Sequence, residues 1–137
     1  MAGERPTIGR LLREAARRWG DTPFIADDAD ATGFAAFDRD VDRFAGGLLR
    51  LGVGRGDHVA VWLPNGRDWI LAFCAVARIG AVIVPVNTRY KLEEARYVIE
   101  QSDAKALVMM PGMWRTDFHA MLLDMAPGIA EARPGRI

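Results

Sequence analysis

The chain has 137 residues, 50% hydrophobic and 26% charged, with 18 basic and 18 acidic side chains and a formal net charge of zero. That length suits one domain and is short for two. The balanced charge excludes a general nucleic-acid binder, whose affinity rests on surplus cations facing phosphates. No apolar run reaches the 18 or so residues of a membrane-spanning helix. Met1 to Arg18 interleaves arginine with leucine and does not read as a signal peptide. Cys74 is the only cysteine, which fits a reducing cytoplasm.

The first predicted element is a helix capped by Thr7, with Ile8, Leu11, Leu12, Ala15, Ala16 and Trp19 along one stripe. Arg10, Arg13, Arg17 and Arg18 take its wet side, and Gly20 and Pro23 end it. Phe24 to Ala26 reads as a short strand and Asp27 to Gly33 as a turn. Phe34, Phe37, Val41, Phe44, Leu48 and Leu51 then follow a 3-4-3-4-3 spacing, which predicts an amphipathic helix of about five turns. Gly46 and Gly47 sit inside it. Each costs about 1 kcal/mol against alanine, so a close backbone contact is expected at one of them. Three strand–turn–helix units follow. The strands are His58–Leu63, Ala81–Val86 and Lys105–Met110; the helices are Arg67–Ile79, Leu92–Gln101 and roughly Thr116–Met125. Apolar strands alternating with helices predict an α/β fold, a parallel β-sheet with helices on both faces. Residues 127–137 lose periodicity and read as an irregular tail, and the chain is expected to be cut off, not finished.

The chemical inventory is thin. Ser102 has no nucleophile elbow around it and reads as a helix-end residue. Cys74 lies in an apolar run and reads as a small hydrophobe. His58, His119 and Cys74 lack the spacing of a zinc site. The adjacent acids Asp27-Asp28 and Glu93-Glu94 point apart and make no acid/base couple. Gly52-Val53-Gly54-Arg55-Gly56 follows a helix and precedes a strand, the reverse of a dinucleotide loop, so its glycines read as a helix stop and a tight turn. No catalytic or metal-binding residue is therefore assigned.

Phe44 to Asn65, Ala72 to Asn87, Leu92 to Ile99 and Ala104 to Val108 together resemble, in order and spacing, the N-terminal region of the acyl-CoA synthetases of the adenylate-forming superfamily. The resemblance runs from about Pro6 to Met125. It departs from the family where a Thr-Tyr pair and a glutamate usually open the long helix; Gly33, Phe34 and Ala36 stand there. It implies a partial N-terminal domain over 1–137, ending before the phosphate loop, of an enzyme that uses ATP, magnesium and coenzyme A. That enzyme would convert a carboxylic acid to acyl-CoA, AMP and pyrophosphate. The short chain is expected to hold no cofactor and to be inactive by itself. The resemblance also places Asn87, Thr88, Arg89 and Tyr90 in a loop near coenzyme A, where Arg89 would meet a phosphate and Tyr90 would stack on adenine. The alternative for this loop is a solvated helix cap. A cytoplasmic homo-oligomer is expected, with no nucleic-acid partner. Other readings are an aryl-acid ligase or adenylation domain, or a stand-alone α/β binding module.

Overall fold

The computed structural model describes residues 6–26 and 30–131. Asp27, Asp28 and part of the predicted turn lie outside these residues, as do Met1–Arg5 and the last six residues of the predicted tail. The chain folds as two compact units. The first joins Met1–Asp57 with Asn65–Ile83, and the second joins His58–Pro64 with Val84–Ile137.

Three helices dominate the first unit: α1 (Ile8–Trp19), α2 (Phe34–Arg50) and α3 (Arg67–Arg78). Thr7 caps α1, its Oγ1 accepting from the Arg10 amide at 3.2 Å. A small antiparallel pair, β1 (Pro23–Ala26) and β2 (Ala31–Gly33), precedes α2. The second strand replaces the far end of the predicted turn, because its three residues carry no periodic signal of their own. The helix α2 buries Phe37, Val41, Ala45 and Leu48, so its buried stripe centres on Val41. Phe44 is only half-buried and Leu51 is 67% exposed.

Asp38 and Asp42, one turn apart on α2, both pair with Arg78 of α3. Asp40 pairs with Arg67 of α3. The three acids thus tie α2 to α3 alongside the apolar contact.

Two helices of this unit stop the same way. Gly52 has φ +85° and Gly80 has φ +73°, a region that glycine enters without a Cβ clash. The next amides reach back into the last turn, Val53 to Leu48 and Ala81 to Val76, closing orphan carbonyls as a C-terminal glycine cap does. The Gly54 amide donates to Asp57 Oδ2 at 2.7 Å. The glycine run therefore turns the chain from a helix toward a strand, as its order implies.

The second unit is built on a three-stranded sheet. β3 (His58–Trp62) is central, between β4 (Val82–Pro85) and β5 (Ala106–Met109). β4 straddles the boundary between units. β3 and β5 are parallel, in register from Val59 opposite Ala106 to Trp62 opposite Met109. The bonds from Val82 N–H to the Asp57 carbonyl and from Val86 N–H to the Val61 carbonyl advance in the same direction on both chains, which is the parallel pattern. Val59, Ala60, Val61 and Trp62 are fully buried, as continuous burial in a parallel sheet requires. Ala60 and Trp62 share one face by strand alternation. They cluster with Val86, Ala95 and Phe118, and the rings of Trp62 and Phe118 stack at 4.6 Å.

The helix α4 (Leu92–Gln101) agrees with the predicted bounds. A hairpin of β6 (Gly112–Met113) and β7 (Thr116–Asp117) then precedes α5 (Phe118–Met125). Asp117 caps α5 through its Oδ1 on the Ala120 amide, which moves the helix start past the predicted Thr116. Pro127–Glu131 winds into a 3-10 helix where an irregular tail is expected. No helix among the described residues is long and apolar enough to cross a membrane.

The expected close contact at the α2 glycines is absent. A Cβ at Gly46 would meet only the Arg50 guanidinium, at 3.6 Å, and one at Gly47 only the same group, at 4.0 Å. The N-cap Gly33 is tighter than either: a Cβ there would come within 2.9 Å of the Asp21 carbonyl oxygen.

Candidate functional site

Asn87 to Lys91 follow the carboxyl end of β4 and lead into α4. Open α/β sheets bind ligands at this end of their strands. The loop is held by its own chemistry. The Asn87 side chain accepts from the Arg89 amide at 2.9 Å, and its backbone carbonyl accepts from the Tyr90 amide at 3.1 Å. That is an Asx-type turn, to which asparagine is suited by its short acceptor. Downstream, the Lys91 amide donates to Glu94 Oε2 at 2.9 Å. This is the returning half of a capping box; lysine has no acceptor to supply the other half.

The four predicted site residues therefore sit together, but in different environments. Asn87 and Arg89 are exposed, whereas Thr88 and Tyr90 are half-buried. Tyr90 packs against the cluster of Trp62, Val86 and Phe118. Among the described residues the Arg89 guanidinium has no hydrogen-bond or ion-pair partner. Arg89 is therefore an exposed cation without a partner among the described residues, on a backbone held from both sides. A guanidinium so placed can bind a phosphate through two parallel N–H bonds.

The other groups of the inventory are committed to the fold. Ser102 Oγ donates to the Ile99 carbonyl at 2.9 Å, and His58 Nδ1 contacts the Ser102 carbonyl. The serine hydroxyl is thus engaged by its own helix end. Burial pushes the Cys74 thiol upward, against a smaller opposite effect of the Arg78 charge, so it stays protonated and unreactive near neutral pH. Burial alone would lower the Arg78 pKa, but hydrogen bonds and the charges of Asp38 and Asp42 outweigh it, and the net direction is upward. Among the described residues no three His, Cys, Asp or Glu side chains could hold a metal ion together.

One feature was not legible from the pattern alone. Arg10, Arg13 and Arg17 of α1, read from the sequence as a wet face, line a cavity of about 440 Å³ together with Arg78 of α3. Their i, i+3, i+7 spacing puts them on one helix face. The fourth arginine is remote in sequence, and no periodicity announces it.

The sequence model of the family described as AMP-binding enzyme matches residues 12–134. YngI of Bacillus subtilis, which carries an acyl-CoA synthetase name, is 39% identical over 133 residues, 96% of this chain and 24% of its own. The human mitochondrial medium-chain acyl-CoA ligase ACSF2 is 31% identical over 134 residues, 96% of this chain and 22% of its own. The chain thus spans about a quarter of the length of these relatives. Among solved structures, the N-terminal domain of FACL13 from Mycobacterium tuberculosis superposes with a TM-score of 0.72 at 28% identity. The match covers 75% of this chain and 27% of that one.

Proposed function

Since the chain belongs to the AMP-binding enzyme family, we propose that it forms part of an ATP-dependent ligase joining a carboxylic acid to coenzyme A. On this reading the loop from Asn87 to Tyr90 meets the nucleotide end of coenzyme A. The observation that carries it is Arg89, an exposed guanidinium without a partner among the described residues, on a loop fixed by Asn87 and Glu94. Coenzyme A would supply the thiol that accepts the acyl group. The chain's own part is positional. Arg89 binds a phosphate, Asn87 holds the Arg89 amide, and Tyr90 anchors the loop to the core cluster.

The human relative is named a medium-chain acyl-CoA ligase, which favours a fatty acid over an aryl acid as the substrate class. There is no Ser/Thr/Gly-rich phosphate loop in the sequence and no metal-holding cluster among the described residues. On this reading the 137 residues alone do not activate the acid. A cytoplasmic setting is supported by the single buried thiol. Self-association is part of the same reading, because among the described residues the outer edge of β5 carries no partner strand in the sheet.

Titration of the chain with coenzyme A tests the loop assignment. Arg89→Gln should weaken binding roughly tenfold, the effect of one charge-assisted hydrogen-bonded contact, with an unchanged melting temperature. Equal affinity in the two proteins would remove the loop from the coenzyme A site.

A further inference from the structure

We propose that the arginine-lined cavity of the first unit binds a phosphate-bearing anion, either free or as the phosphoryl group of a small molecule. The first three turns of α1, from Thr7 to Arg17, form one wall and Arg78 of α3 the other. The site shares no residue with the Asn87–Tyr90 loop and does not depend on that assignment.

Charge is the first argument. Four arginines line the cavity against a single acid, Glu14. Glu14 is held by Arg10 Nε at 2.8 Å. Asp38 and Asp42 neutralise Arg78 but are not part of the lining. Arg13 reaches Asp42 only at 3.6 Å. Arg17 has no partner among the described residues. Like charges at this spacing repel, so an anion between them lowers the energy of the arrangement.

The second argument is a buried donor. The Arg78 side chain is 5% exposed, and its Nε–H is buried without an acceptor among the described residues. Buried donors are nearly always satisfied, so the Arg78 side chain carries hydrogen-bonding capacity that Asp38 and Asp42 leave unused. The third argument is shape. Gly9 lets α1 approach α3, since a Cβ there would lie 3.3 Å from Arg78 Cα. The first turn of α1 carries no acidic residue, so the positive end of its dipole adds to the field at the cavity mouth. A tetrahedral oxyanion with several acceptors suits converging guanidinium forks better than a carboxylate, which one fork already saturates.

Calorimetric titration of the chain with inorganic pyrophosphate and with glycerol 3-phosphate tests this, with ionic strength held constant by potassium chloride. Saturable one-to-one binding of at least one of them is expected. Pyrophosphate alone would identify a free anion, and the ester as well would identify a phosphoryl group. Arg78→Gln breaks two ion pairs and endangers the fold, so exposed Arg17→Gln carries the comparison. It should weaken binding roughly fivefold to tenfold, while Arg115→Gln, the same charge change in the other unit, should leave it alone. No saturable binding of either probe, an equal loss in both variants, or equally tight binding of acetate would overturn the proposal.

Discussion

The helix α2 contains glycines that look alike in sequence and differ in what surrounds them. Gly46 and Gly47 have room for a methyl group, met only by the flexible end of Arg50. Each lies inside a helix, where alanine is favoured by about 1 kcal/mol. Gly33, at the N-cap with φ −72°, needs no glycine for its backbone angle, but a Cβ would press on the Asp21 backbone at 2.9 Å. Gly46→Ala and Gly47→Ala should therefore each raise stability, by up to about 1 kcal/mol. Gly33→Ala should lower it, by about 1–3 kcal/mol. Urea unfolding of the three variants checks both signs; a stabilised Gly33→Ala would mean that the approach of Asp21 relaxes freely. None of this could be read from the string of residues, because a glycine's neighbours in space are not its neighbours in the chain. The same holds for Arg78. Its partners Asp38 and Asp42 precede it by about ten helical turns of sequence, and its burial appears only when α2 and α3 meet.

At the scale of elements, periodicity was the readable part. The 3.6-residue stripe of α2 and the apolar runs of β3 and β5 are long enough to dominate their surroundings, and their bounds agree with the structure within a residue or two. The pieces that went unread are two- and three-residue strands, β2, β6 and β7. Such strands are too short for a period of two to register, and pairing with a neighbour creates them. Within α2 the spacing located the stripe but not its centre. Sequence treats Phe44 and Leu51 as equal to Val41, whereas only Val41, with Phe37, Ala45 and Leu48, is buried. Val41→Asp should therefore abolish cooperative folding. An unpaired buried carboxylate costs several kcal/mol, comparable with the whole stability of a chain this size. Phe44→Asp, at a half-buried position, should cost less and leave a measurable transition. Thermal unfolding followed by circular dichroism distinguishes them; a near-native melt for Val41→Asp would mean the stripe is misplaced. The candidate loop was legible in part. Its asparagine and the following helix were readable as a turn and a start, but the packing of Tyr90 on Trp62 and Phe118 depends on the folded sheet.

For the molecule as a whole, two features bear on how the chain behaves in solution. β5 is an edge strand. In the same unit a cavity of about 400 Å³ is lined by Ile99, Leu107, Met109, Leu122 and Met125, with Arg96, Glu100 and Lys105 among the polar lining. An open edge beside apolar surface invites a second copy. A two-fold contact would close on itself. The zero net charge offers little repulsion against it. Light scattering over a dilution series should show more than one chain per particle at tens of micromolar, and a Leu107→Lys variant should shift the equilibrium to monomer by burying an uncompensated charge. Strictly monomeric wild-type protein would mean that the edge is already protected. We propose that this chain, a member of the AMP-binding enzyme family, does not activate a carboxylic acid by itself. ATP–pyrophosphate exchange tests it most directly, measured on the 137-residue chain with magnesium and acetate, octanoate, palmitate and benzoate in turn. Exchange at background is expected with every acid; exchange above background with any of them would show that these residues activate a carboxylate by themselves.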